Sequence, residues 1–353
     1  MKVVVKVGTS SLTDASGMID VSAIDKICAE IASVRSLGHQ VILVSSGAIA
    51  AGLPIMGFDD GRRPRDTEVL QAVSAVGQIR LMTNYERSLA AHDLIAAQVL
   101  LAPYDFVVRR QYLHARATLG HLLELGAVPI VNENDALAND EIRFGDNDRI
   151  AALVAQLAGA DLLVLLTDTA GVLTADPRLD ADASLIEEIH TVDQHLERVA
   201  GGAGSQRGSG GMATKLAAAK IASWSGVRTV IAAADRADVV ADAIAGRAGV
   251  GTVVLPRPTR LAARKVWIAF AVGAEGVIRV DAGAERAVRD RGTSLLGAGV
   301  VGAEGDFEAQ DAVEIVGPDG EPFAKGLVRV SAGEAVGFAG VVIHRDDLLV
   351  FPA

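Results

Sequence analysis

The sequence predicts a two-domain α/β protein: an α/β sandwich over residues 1–255, a linker over 256–265 and a small β-rich domain over 266–353. Three observations carry this. Up to residue 255, short β-branched runs alternate with longer segments of helical period, as strands and helices of a layered sandwich do. Pro256 and Pro258 then introduce a basic stretch, Arg257, Arg260, Arg264 and Lys265, that breaks the alternation. Beyond it the apolar segments are short and glycine-punctuated. A chain of 353 residues also exceeds what one ordinary core covers.

In order along the chain, Val3–Val7, Gln40–Val44, Ala127–Val131, Asp161–Leu166 and Arg228–Ala233 read as strands, several apolar enough to be buried on both faces. Helices are expected over Val21–Leu37, Thr67–His92, Gln111–Leu125, Arg149–Ala158 and Met212–Trp224. Gly38, Gly126 and Gly226 follow three of them directly, where a left-handed residue closes a helix. In the second domain, strands are expected at Gly276–Val280, Val313–Val316, Leu327–Val330 and Gly340–His344.

Composition weighs against several classes, with RNA binding by the C-terminal domain kept as an alternative. The net charge of −11 repels nucleic acid, and from residue 266 on the chain has 7 basic against 14 acidic residues. The one cysteine, Cys28, cannot form an internal disulfide and falls on the apolar face of a helix. The opening Met-Lys-Val-Val-Val-Lys is too short for a signal peptide, and no apolar run approaches the roughly 18 residues of a membrane helix. The expectation is a cytoplasmic protein without a membrane span.

Five loops carry the candidate chemistry, and open α/β sheets bind ligands at such strand ends. The first, Lys6-Val7-Gly8-Thr9-Ser10, puts an amine in an apolar strand, which is costly unless it meets a partner; an edge-strand lysine that blocks aggregation is the alternative. In Val44-Ser45-Ser46-Gly47-Ala48, a strand runs into a small-residue turn and a helix, either a ligand loop or a serine-capped turn. Asn132, Glu133, Asn134, Asp135, Asp140, Glu141 and Asp146-Asn147-Asp148 put more side-chain oxygens around one loop than capping needs, which suits an ammonium group or hydrated Mg2+. Leu166-Thr167-Asp168 and the following Thr174-Ala175-Asp176-Pro177 fit plain turn chemistry and a nucleotide edge equally. Finally, Gly201–Gly211 holds six glycines in eleven residues and runs into Met212-Ala213-Thr214-Lys215, an anion site at a helix start or a flexible loop.

Other signatures are absent from the sequence. It has no G-x-x-x-x-G-K-[ST] loop, no protein-kinase motifs and no G-x-S-x-G elbow, and its seven histidines lack metal spacing. Gly208-x-Gly210-x-x-Ala213 formally matches a dinucleotide fingerprint, which keeps an NAD-type oxidoreductase as an alternative. Its glycines, however, do not follow a strand directly.

Taken in order, Val5–Ser10, Ser46–Gly52, Val131–Asp135, Gly145–Asp148, Leu166–Asp168, Thr174–Arg178 and Gly210–Lys215 resemble the amino acid kinase family, and within it the branch that phosphorylates glutamate. Arg291–Leu296 and Val341–Asp347 are similar to a PUA domain, so the resemblance spans nearly the whole chain. It implies a three-layer sandwich around a central, mainly parallel sheet. It implies ATP-dependent phosphorylation of the L-glutamate side-chain carboxylate to L-glutamyl 5-phosphate, the first step of proline synthesis; another carboxylate acceptor is the alternative. Lys6 and Lys215 would flank the transferring phosphoryl group, and Asp148 would hold both lysines. Ser46, Asp135 and Asn147 would bind glutamate. Lys6, Thr167, Asp168, Ser209, Gly210, Gly211, Met212, Ala213, Thr214 and Lys215 would hold ATP, and Asp146 would contact Mg2+. Ser209 and Leu173 depart from the threonine and tyrosine common in the family. The resemblance also implies feedback by proline, a homo-oligomer and hand-over to a glutamyl phosphate reductase.

Overall fold

The computed structural model describes residues 1–58, 63–102, 105–106, 108–137, 147–175, 180, 182–193, 196–197, 211–270 and 272–351. The chain divides into two compact units, Met1–Arg260 and Leu261–Ala353.

In the first unit the elements run β1 (Lys2–Val7), α1 (Val21–Ser36), β2 (Gln40–Ser45), α2 (Ala48–Gly52), α3 (Thr67–Ala90), β3 (Ala96–Leu101), α4 (Arg109–Glu124), β4 (Val128–Glu133), α5 (Asn147–Ala158), β5 (Leu162–Thr167), β6 (Glu188–Ile189), α6 (Met212–Trp224), β7 (Arg228–Ala233), α7 (Val239–Ala245) and β8 (Thr252–Val254). The strands form one sheet in the order β3-β4-β2-β1-β5-β7-β8-β6. All pairings are parallel except β7 with β8. Gly38, Gly126 and Gly226 sit at φ 82, 84 and 75°, the left-handed geometry expected after α1, α4 and α6.

β1 lies in the middle of this sheet, so Lys6 is no edge-strand lysine. It pairs in register with Val44 on one side and Leu165 on the other. Strand alternation then decides where its side chain goes. Val3, Val5 and Val7 enter the core shared with α1, α3 and α7, which leaves Val4 and Lys6 for the opposite layer. There α5 packs against β1, β2, β4 and β5, and α6 packs against α5 and β7.

β3 goes undetected in the sequence. It is the sheet's outer strand and mostly half-exposed, and Ala-Ala-Gln-Val-Leu-Leu has neither a two-residue alternation nor more than one β-branched residue. β6 and β8 are only two and three residues long, too short for any pattern to register.

The second unit contains α8 (Ala263–Phe270), β9 (Gly276–Val280), α9 (Ala282–Arg291), β10 (Leu295–Leu296), β11 (Val300–Gly305), β12 (Ala312–Val316), β13 (Pro322–Leu327), α10 (Ala332–Ala335), β14 (Val341–Ile343) and β15 (Leu348–Val350). β11-β9-β12-β13-β15 form one sheet and β10-β14 a small second one, around a core that includes Phe307, Phe323, Ile278 and Ile315. The expected strand at Leu327–Val330 is a correction: β13 ends at Leu327. Val328 and Val330 are buried all the same, so their apolar character serves a crossing segment of the core rather than a ladder. Among the described residues no helix is long and apolar enough to cross a membrane.

Candidate functional site

Because six neighbouring strands run parallel or nearly so, their carboxyl ends lie along one edge of the sheet. Lys6, Ser45, Glu133, Thr167 and Ala233 all stand at or beside such ends. Lys6 is 3% exposed, Asp148 0% and Lys215 5%. Burying three ionised groups is tolerable only if they meet one another, and they do. Lys6 Nζ lies 2.5 Å from Asp148 Oδ1, and Lys215 Nζ lies 3.2 Å from Asp148 Oδ2. Thr214 Oγ1 donates to Asp148 Oδ2 at 2.8 Å and to the Gly211 carbonyl at 2.8 Å.

Asp148 sits in the first turn of α5, and Lys215 in the first turn of α6. One carboxylate therefore links a strand and two helix starts. Burial pushes the Asp148 carboxyl up, but the ammonium groups of Lys6 and Lys215 outweigh it and hold the group below its ordinary range. Asp148 is an anion at neutral pH. These three side chains together carry a surplus of one positive charge, in a place from which water is largely excluded.

Gly8 explains itself by proximity. A Cβ there would lie 3.3 Å from Lys6 Nζ, so a larger residue would crowd the amine. The backbone at Gly8 is extended and needs no glycine for its torsion angles. Gly47 does need one: at φ 102° it turns the chain from β2 into α2, right after Ser46. α2 in turn is pressed against α3 through Gly52 and Gly77; a Cβ on Gly77 would meet the Ala48 carbonyl oxygen at 1.9 Å.

A second polar group lies beside the lysines. Asn147 Nδ2 donates to Ser46 Oγ at 2.9 Å, to Asn132 Oδ1 at 3.0 Å and to the Ser45 carbonyl at 3.2 Å. Asn132 Nδ2 donates to Gln78 Oε1 at 2.9 Å. Ser45 Oγ is bonded to the buried Tyr85 hydroxyl at 2.8 Å. Asp135 accepts a 2.5 Å hydrogen bond from Ser74 Oγ, and burial raises its carboxyl above the ordinary value, with the Ser74 bond opposing. Among the described residues Asp135 has no cationic partner.

At the end of β5, Thr167 Oγ1 donates to Asp168 Oδ1 at 3.1 Å. Gly211 precedes α6 in extended conformation, and among the described residues no side chain caps this helix start, where backbone N–H groups can receive an anion. Of the residues singled out in the sequence, Lys6, Asp148, Lys215 and Thr214 come into one cluster, and Ser46 and Asn147 into the adjoining one. Ser209, Gly210 and Asp146 lie outside the described residues, as do Asp140, Glu141 and most of the glycine-rich segment.

Nothing in the sequence motifs gives a role to Ser74, Gln78, Tyr85 or Ser45. A signal for the first two existed. Ser74 and Gln78, four apart, interrupt the buried face of α3 between Val73 and Leu81, where core residues belong.

The amino acid kinase family signature matches residues 1–233 of the chain. The chain belongs to the amino acid kinase family. Residues 276–344 match the PUA domain. Curated members similar to the chain include the glutamate 5-kinases of Pelobacter propionicus, 45% identical over 99% of this chain and 97% of the relative, and Burkholderia vietnamiensis, 47% identical over 98% and 90%. That of Trichlorobacter lovleyi is 44% identical over 99% and 96%. Among solved structures, carbamate kinase from Giardia lamblia bound to AMP-PNP shares the fold, with a TM-score of 0.51, 19% identity, and coverage of 72% of this chain and 98% of that one.

Proposed function

We propose that the chain is an ATP-dependent kinase of the L-glutamate side-chain carboxylate, forming L-glutamyl 5-phosphate. The observation that carries this is one buried carboxylate, Asp148, gripped by two ammonium groups from opposite ends of the unit's sequence. The near-full-length likeness to proteins named glutamate 5-kinase supports the acceptor.

Two anions must meet for this reaction, and their repulsion is the main barrier the protein can lower. A unit charge pair 4 Å apart is worth about 4 kcal/mol at an effective dielectric of about 20. Lys6 and Lys215 supply such charges to the γ-phosphoryl group, and Asp148 fixes where they stand. A carboxylate oxygen of the acceptor attacks the γ-phosphorus, a new P–O bond forms, and the bond to the bridging oxygen breaks to release ADP. The acceptor is already ionised at pH 7, so no general base is required.

Asp135 takes the glutamate ammonium, and Ser46 and Asn147 orient the rest of the molecule. Thr167, Asp168 and Gly211–Lys215, with Ser209 and Gly210, hold ATP. For Mg2+ the described residues do not fit a protein-held ion. No group of three His, Cys, Asp or Glu side chains is placed for one among them, and both Asp148 oxygens are engaged. Asp146, the residue assigned to it from the sequence, lies outside them. Feedback by proline, homo-oligomer formation and hand-over to a glutamyl phosphate reductase rest on the family likeness alone, and a cytoplasmic location on the sequence expectation.

The test is an acceptor screen with ATP and hydroxylamine, which traps acyl phosphates as coloured hydroxamates. Glutamate is expected to react, and aspartate and N-acetylglutamate not. Equal or greater turnover with another acceptor would move the chain to a different activity within the family.

A further inference from the structure

Gln78 on α3 is 8% exposed and lies on the same helix face as Ser74, one turn away. Each reaches one end of the 132–135 loop: Ser74 bonds Asp135, and Gln78 bonds Asn132. The orientation of the Gln78 amide follows from the chemistry of its chain of partners. Asn147 faces the Ser45 carbonyl, which can only accept, so the Asn147 atom there is Nδ2. That nitrogen and the Glu133 backbone N–H both donate to Asn132, which therefore turns its Oδ1 to them. Asn132 must then offer Nδ2 to Gln78, and Gln78 answers with Oε1.

This relay leaves two buried atoms without a hydrogen-bond partner among the described residues, Gln78 Nε2 at one end and Asn147 Oδ1 at the other. A buried unmade donor is costly, and at a binding site it is commonly reserved for a ligand. Ser74, one turn away on the same helix face, bonds Asp135, so the orphan donor of Gln78 stands on the face that holds the candidate ammonium-binding carboxylate, and a donor there matches the carboxylate of an α-amino acid, which accepts.

We propose that Gln78 is an acceptor-binding residue whose Nε2 amide donates to the α-carboxylate of the substrate, selecting α-amino acids. The assignment rests on the reading that glutamate is the acceptor and that Asp135 takes its ammonium. A site built to hydrogen-bond one group rejects analogues lacking it, because its own polar atom is then left unpaired.

The test uses full-length Gln78→Glu and Gln78→Leu. Gln78→Glu keeps an oxygen for Asn132 Nδ2 but removes the donor and adds a charge that repels a carboxylate. Its KM for glutamate is expected to rise at least about tenfold, with KM for ATP within about twofold. L-isoglutamine, which carries a carboxamide in place of the α-carboxylate, supplies the second readout. Its amide can donate to the new carboxylate, so the ratio of kcat/KM for glutamate over isoglutamine is expected to fall at least about tenfold. Gln78→Leu, which removes the donor without adding charge but also takes the Oε1 acceptor from Asn132 Nδ2, is expected to raise KM for glutamate roughly 10- to 100-fold while KM for isoglutamine and for ATP rises far less. It carries the same test if Gln78→Glu fails to fold.

An unchanged KM for glutamate would overturn the assignment, as would equal losses for glutamate, isoglutamine and ATP, which mark a purely structural amide. A wild-type protein that forms no acyl phosphate from glutamate instead refutes the glutamate reading, a result visible before any variant is made.

Discussion

Asp148→Asn tests whether one carboxylate organises the site. The change preserves shape but removes the negative charge that contacts Lys6 and Lys215 at 2.5 and 3.2 Å, and turns one oxygen into an amide that faces an ammonium group. With Asp148 0% exposed, solvent cannot take the carboxylate's place. Breaking a buried ion pair by removing one partner costs about 3–5 kcal/mol. For a unit of this size that corresponds to a fall in melting temperature of about 6–20 °C. Turnover is expected to fall about 10²–10³-fold, as when one preorganised donor is lost. The two units need not unfold together, so a single transition for the whole chain is not assumed. Trp224 lies in the first unit and Trp267 in the second; in a Trp267→Phe background, fluorescence reports the unit that holds the site.

The pH dependence supplies an independent check. The folded-state value of Asp148 is depressed below the ordinary 3.8, so its stabilisation is fully present above that value and is lost only as pH falls through the lower folded value. The stability gap between wild type and Asp148→Asn is therefore expected to be flat from about pH 8 to about pH 5 and to close only in strong acid. A nucleotide that brings phosphate to the two ammonium groups should stabilise the variant more than wild type. Wild-type stability and turnover in Asp148→Asn, or a gap that closes near neutral pH, would refute the reasoning.

Lys6→Ala and Lys215→Ala are each expected to lower kcat about 10²–10³-fold, with a smaller change in KM for glutamate, as measured by hydroxamate formation. Asp135→Asn is expected to raise KM for glutamate at least about tenfold while slightly raising the melting temperature of the substrate-free protein at pH 7, because Asp135 is desolvated without a cationic partner and its raised carboxyl loses stability as it ionises. For the same reason KM for glutamate in wild type is expected to climb as pH falls through the raised Asp135 value, in titrations that hold ATP saturating. Gly77→Ala is expected to destabilise the first unit by at least about 1–3 kcal/mol in denaturant titration, since its methyl group would fall on the Ala48 carbonyl oxygen, with the Gly52 backbone nitrogen 2.4 Å away.

Much of the site was legible because its chemistry is expensive. A lysine among valines in β1, a crowd of oxygens after β4 and a glycine-rich run before α6 each break the pattern of their surroundings. Lys6 itself could not be resolved from sequence, since an edge strand and a central strand can carry the same residues; the register with Val44 and Leu165 settles it. β3 escaped because an exposed outer strand needs no apolar alternation. Leu327–Val330 misled because burial, which sets residue type, does not require a ladder. Gln78 and Ser74 interrupt the apolar face of a correctly expected helix, a signal whose meaning depends on partners that only the fold supplies.

By itself the sequence determined the alternation of strands and helices, the helix-closing glycines and the identity of most charged groups, because those depend on local periodicity and on the cost of burying charge. Only the tertiary structure decided that Lys6, Asp148 and Lys215 share one carboxylate, and that an amide relay from Ser45 to Gln78 ends in an unpaired donor. These are distances between residues up to 142 positions apart in the chain, from Lys6 to Asp148. Sheet order and side-chain alternation set such distances, and neither is written in any one segment.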